Sequence, residues 1–124
     1  MRDRTAADDT VQGAYNRALL DLILPPMRMT AKEAGYAICV HGSLNRDIDL
    51  VAIPWREHNV SDKDELVKRI TFAVAGVIGR CNFERDWAVK PHGRFAKILL
   101  AWCGENTAQI DLSVMPALAT DKDQ

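Results

Sequence analysis

The sequence predicts an α+β fold, a mixed β-sheet of about 4–5 strands with helices packed on one face. Three observations predict it. Two stretches of helical length repeat their apolar residues at three- and four-residue steps. Short extended runs rich in Ile, Val and Leu lie between and after them. The run Thr107 to Met115 alternates strictly, with Ala108, Ile110, Leu112 and Val114 against Thr107, Gln109, Asp111 and Ser113. At 124 residues and 48% hydrophobic, one domain over 1–124 is expected, with 1–9 and 117–124 as loose tails.

The first helix is expected over about 11–24, capped by Asp9 or Thr10, with Val11, Tyr15, Ala18, Leu19, Leu22 and Ile23 on one face. Pro25-Pro26 should break or kink it. Pro26 suits the start of a second helix, with Met27, Ala31 and Ala34 inside and Gly35 as its stop. Met27 and Met29 are read as core rather than as an interaction surface. Strands follow at about 36–41 and 47–53, then a loop from Pro54 to Asn59. Ser61-Asp62-Lys63-Asp64 reads as a capping box opening a helix to about Arg80. Its expected stripe is Leu66, Ile70, Ala73, Val74, Val77 and Cys81, with Asp62, Lys63, Lys68 and Arg69 on the wet side. Pro91-His92-Gly93 separates Asp86–Lys90 from Arg94–Cys103 as a hairpin turn, and Gly104-Glu105-Asn106 is a second turn.

Composition excludes several classes. A net charge of −1 creates no global basic field for nucleic acid. There is no run of apolar residues long enough for a membrane span and no signal peptide pattern, so a cytoplasmic protein is expected. Cys39, Cys81 and Cys103 lack C-x-x-C spacing and sit among apolar neighbours. They read as small buried residues in a reducing compartment, not as a disulfide framework or zinc site.

The chemistry concentrates in His41-Gly42-Ser43-Leu44-Asn45-Arg46-Asp47-Ile48-Asp49-Leu50. A strand ends, a Gly-Ser turn follows, and a second strand opens with Asp-x-Asp. In a strand, Asp47 and Asp49 share a face opposite Ile48, Leu50 and Ala52. Two neighbouring carboxylates repel and call for a cation or basic partners. Oxygen-only sites of this kind suit Mg²⁺ or Mn²⁺.

Gly-Ser after a strand, then Asp-hydrophobic-Asp-hydrophobic on the next, resembles the signature of the polymerase-β-type nucleotidyltransferases, a superfamily with small bacterial and phage-encoded members. The resemblance is close over 36–54 and covers 36–115 in layout. Family members usually place a longer stretch, including the start of a helix, between Gly-Ser and the first carboxylate. Here only Leu44-Asn45-Arg46 intervene. The resemblance implies that Gly42 and Ser43 grip the triphosphate of an NTP and that Asp47 and Asp49 hold Mg²⁺. It also implies a third carboxylate on a later strand and transfer of a nucleoside monophosphate to a hydroxyl. The acceptor is open: a small molecule, a protein or an RNA end, with a partner chain or second copy supplying its site.

Asp111 fits the third carboxylate, because it is a charge set mid-strand among apolar residues. If the last strand lies beside the second, Asp111 joins Asp47 and Asp49, and three carboxylates suit two divalent ions about 3.5–4 Å apart. The rival reading pairs Asp111 with Arg94 or Lys97. Arg46 reads as a phosphate contact or as a counter-charge to the acidic cluster. Lys90, His92, Arg94 and Lys97 form a basic hairpin that is either a solvated edge or a binder of phosphates or of an acidic substrate, with Arg94 the nucleotide-binding candidate. His41 reads as a hydrogen-bonded structural residue. Trp55 reads as core rim, with stacking on a base as the alternative.

Overall fold

The computed structural model describes residues 4–117. The elements run α1 (Ala6–Ala34), β1 (Tyr36–His41), β2 (Ile48–Pro54), α2 (Lys63–Ile78), β3 (Arg80–Phe83), β4 (Ala88–Val89), a short 3-10 turn (Pro91–Gly93), β5 (Phe95–Cys103) and β6 (Asn106–Val114). The expected α+β fold is found, as one six-stranded sheet of order β1-β2-β6-β5-β3, with β4 pairing beside β5. All neighbours are antiparallel except β2 and β6, which run parallel.

The first two expected helices are one. α1 spans 29 residues and runs through Pro25 and Pro26. It starts earlier than expected: Thr5, not Asp9 or Thr10, is the cap, in a capping box with Asp8. Residues 6–9 are therefore helical rather than a loose tail, and residues 1–3 of the expected tail lie outside the described residues. Each proline deletes an amide and costs about 3 kcal/mol inside a helix. The carbonyls left without a donor belong to Asp21 and Leu22, which face solvent where water can serve them. The buried stripe meanwhile keeps its phase through the pair: Gly13, Asn16, Leu20, Ile23, Met27, Ala31 and Ala34. Burial of Ile23 and Met27, each with no exposed surface, anchors the helix on both sides of the interruption. Val11 and Leu22, expected inside, are 71% and 59% exposed. Gly35 stops the helix as expected, in left-handed geometry (φ 98°) with its amide on the Ala31 and Lys32 carbonyls.

α2 is capped by Asp62 alone, which accepts from the Glu65 amide; the expected box from Ser61 is not formed. Its buried residues are Leu66, Val67, Ile70, Thr71 and Val74, and Val77 is exposed. Cys81, assigned to the helix stripe by spacing, belongs to β3. That four-residue strand was hidden in the sequence by its shortness and by the helix preceding it.

Both helices cover one sheet face. Ile48, Leu50 and Ala52 of β2, Leu99 and Ala101 of β5, and Ile110, Leu112 and Val114 of β6 are at most 3% exposed beneath them. Pleat alternation puts His41, Asp49, Val51, Ile98, Asp111 and Ser113 on the opposite face. Of the cysteines, Cys81 is buried, whereas Cys39 and Cys103 are exposed, a correction to their expected burial. Apolar neighbours in sequence face the core, while Cys39 lies between them on the other side of its strand. Residues 118–124 of the expected C-terminal tail lie outside the described residues. No described helix is long and apolar enough to cross a membrane.

Candidate functional site

Three strands carry the site in one row. His41 of β1 is the cross-strand partner of Asp49 of β2, and Asp49 is the in-register partner of Asp111 of β6. The pairing of β2 with β6 thus brings Asp49 and Asp111 side by side on the open face. Apolar residues flank both carboxylates in sequence and face the core, which holds the strands, and hence the carboxylates, in place.

Burial raises the Asp49 carboxyl above its ordinary value. The Asp111 charge raises it further, His41 opposes that rise, and Asp47 adds to it. Asp111 is half-buried, and its Oδ1 is buried with no hydrogen-bond partner among the described residues. The rival partners are engaged elsewhere. Arg94 donates from Nη1 to Ser113 Oγ at 2.9 Å, and Lys97 donates to the Arg85 carbonyl at 3.0 Å. A buried carboxylate oxygen without a donor is costly in a closed structure.

Asp47 does not share the pleat with Asp49 as expected, because β2 begins at Ile48. It sits half-buried in the preceding turn, within electrostatic reach of Asp49. Among the described residues, no three His, Cys, Asp or Glu side chains close on one point as a full metal cage. The unpartnered Asp111 Oδ1 and the mutual repulsion of Asp49 and Asp111 nonetheless fit a hard divalent cation with this pair as ligands.

Gly42 has a positive φ of 79°, and a Cβ there would lie 2.7 Å from Asp49 Oδ2. The glycine therefore admits the Asp49 carboxylate against the turn, besides setting its backbone. Ser43 Oγ accepts from the Asn45 amide at 3.2 Å, which leaves its own proton to donate. Arg46 is turned to α1, where it pairs with Asp9 at 3.4 Å.

Sequence reasoning missed what holds this turn. Asn16 of α1, fully buried, donates to the Leu44 carbonyl at 2.7 Å and the Arg46 carbonyl at 3.3 Å. It accepts in turn from Gln12 at 2.8 Å. Arg17 donates to the Ser43 carbonyl at 2.9 Å. Gly13 lets the loop close in, since a Cβ there would meet Asn45 Oδ1 at 2.5 Å. The available signal was a polar Asn at a position of the apolar helical stripe.

The basic hairpin divides. Lys97 lies opposite Leu112 in register and so points to the helix-covered face, away from Asp111. Lys90 and His92 are exposed, and Arg94 reaches the open face, beside Ser113. Trp55 is 49% exposed with Arg56 against its ring. It stands at the far end of β2, on the order of 20 Å along the strand from Asp49, too far to stack on a base held there. His41 is exposed and faces Asp49, with no hydrogen bond from its side chain among the described residues.

No protein-family model matches the chain, and no curated protein is detectably similar to it in sequence.

Proposed function

We propose that this protein is a metal-dependent nucleotidyltransferase that moves a nucleoside monophosphate from an NTP to a hydroxyl of an acceptor, breaking the α–β phosphoanhydride bond and releasing pyrophosphate. The observation that carries the reading is the in-register pair Asp49–Asp111 beside the Gly42-Ser43 turn, with Asp111 Oδ1 left without a donor. Asp49 and Asp111, with Asp47 at their side, would hold Mg²⁺ or Mn²⁺. The chemistry such an ion supplies is charge neutralisation on the triphosphate and a lowered pKa for the attacking hydroxyl. Ser43 Oγ donates its free proton to a phosphate oxygen. Arg94, fixed at one guanidinium nitrogen by Ser113, offers its remaining donors to the same group. Asp111, half-buried on the open face, accepts the hydrogen bond of the acceptor hydroxyl through the accessible part of its carboxylate and orients it. A small molecule, a protein or an RNA end would fit as acceptor, on a site completed by a partner chain or a second copy.

A second reading, a nucleotide- or metal-binding module without turnover, is favoured by one observation. The carbonyls of Ser43, Leu44 and Arg46 are tied down by Arg17 and Asn16, and no helix begins at this turn to direct its amides at a phosphate.

Asp111→Asn separates the readings. Affinity for Mg-NTP, measured by calorimetry, should fall because the ion loses one of its two charged ligands, while transfer of radiolabel into a cell extract falls further, on the order of 100-fold or more. Wild-type protein that binds Mg-NTP but transfers nothing, with or without extract, supports the silent module. Wild-type protein that fails to bind Mg-NTP at millimolar concentration removes both readings.

A further inference from the structure

We propose that the cavity at the outer edge of β1 binds a small flat aromatic anion, a ring system carrying one carboxylate or phosphate. This goes beyond the acidic row and does not depend on it. The cavity has a volume of ≈ 350 Å³ and is lined by Arg28, Lys32, Tyr36, Ala37, Ile38 and Trp55, within the range of small-ligand sites.

Its chemistry follows from the lining. Arg28 and Lys32 lie four residues apart on α1 and so share one side of the helix. Lys32 makes no hydrogen bond or ion pair among the described residues. Among the described residues Arg28 bonds only the Ile38 carbonyl, from Nε and Nη2 at 3.3 Å each. No described carboxylate neutralises either cation. The floor is apolar: Ala37, Ile38 and the ring of Tyr36, whose hydroxyl is engaged by the Ser61 carbonyl at 2.8 Å. Trp55 adds a half-exposed aromatic wall. A neutral aromatic would leave two cations unmatched, and an inorganic anion would leave the wall and floor in water. A flat anion satisfies both.

An edge strand also invites addition of a peptide strand. The amide of Trp55 donates to the Gly35 carbonyl, which puts the odd-numbered residues of β1 in hydrogen-bonded pairs with β2 and turns the Ile38 carbonyl outward. Arg28 occupies that carbonyl, so an added strand would have to displace it. The small molecule is favoured on that ground.

The test uses the full ¹⁵N-labelled chain titrated with 2-naphthoate and with its neutral counterpart, 2-naphthamide. Saturable shifts are expected at the Ala37 and Ile38 amides and the Trp55 indole N–H. Lys32→Gln should weaken 2-naphthoate about fivefold, the scale of one solvent-exposed charge contact, and Trp55→Ala should abolish binding. Both positions are solvent-exposed, so the fold should survive. The proposal is overturned by the absence of saturable shifts at these positions, by affinity that neither variant changes, or by equal affinity for 2-naphthamide. It is also overturned if an extended acidic peptide binds there in place of 2-naphthoate and protects the β1 edge amides.

Discussion

Lys97 and Asp111 are two charged residues on adjacent strands, one register position apart, and they meet opposite fates. Lys97 is 4% exposed on the helix side of the sheet. Its ammonium reaches the Arg85 carbonyl and lies 5.1 Å from the Phe83 ring centroid and 4.6 Å from that of Trp87. That charge is engaged within the chain, by one carbonyl and two ring faces. Asp111, on the open side, keeps a buried oxygen with no donor. The difference teaches how to separate structural charge from functional charge. A buried ion enclosed by its own chain holds the fold together, and one left unmatched is the candidate for a partner from outside the chain.

The largest effect should come from the enclosed side. Lys97→Ala removes the donor from the Arg85 carbonyl and the cation from two rings, and should lower stability by on the order of 3 kcal/mol in urea denaturation. Unchanged stability would break the contrast, because Lys97 would then be as free as Asp111. Asn16→Ala comes next. It strips the Leu44 and Arg46 carbonyls of their buried donor and should cost about 2 kcal/mol. Mg-NTP affinity should fall in the same variant, since the Gly42-Ser43 turn loses its support from α1; intact affinity would show that the turn holds itself.

The smallest effect has the opposite sign. The raised Asp49 carboxyl means that, above its ordinary value of 3.8, the folded state retains a proton the unfolded chain has released. Stability therefore falls as pH rises through the window between 3.8 and the raised value, and stays lower above it. Asp49→Asn should raise Tm at neutral pH by on the order of a few degrees, with the gain fading as the pH falls from the raised value towards 3.8 and absent below it. Millimolar Mn²⁺ should raise the Tm of wild type by linkage and leave Asp49→Asn nearly unmoved. A destabilised Asp49→Asn would place that carboxylate with Lys97, among the charges that hold the fold.

The sequence by itself determined the strands at 36–41, 48–54 and 106–114 to within a residue or so, the stop at Gly35, the helix after Asp62 and the hairpin about Pro91–Gly93. Each is written in a local pattern: alternation of period two, a capping residue, a turn dipeptide. It also marked Asp111 as a charge in want of a partner, because alternation placed a carboxylate in an apolar strand. Only the tertiary structure decided that β6 runs parallel beside β2 and so sets Asp111 against Asp49. It alone decided that Lys97 turns away from the acids, that Asn16 reaches the turn from a distant helix, and that α1 survives two prolines. The physical reason is common to all four. Local patterns set which way a side chain points relative to its own backbone, whereas burial against remote elements selects the partner and offsets local penalties such as those of Pro25 and Pro26.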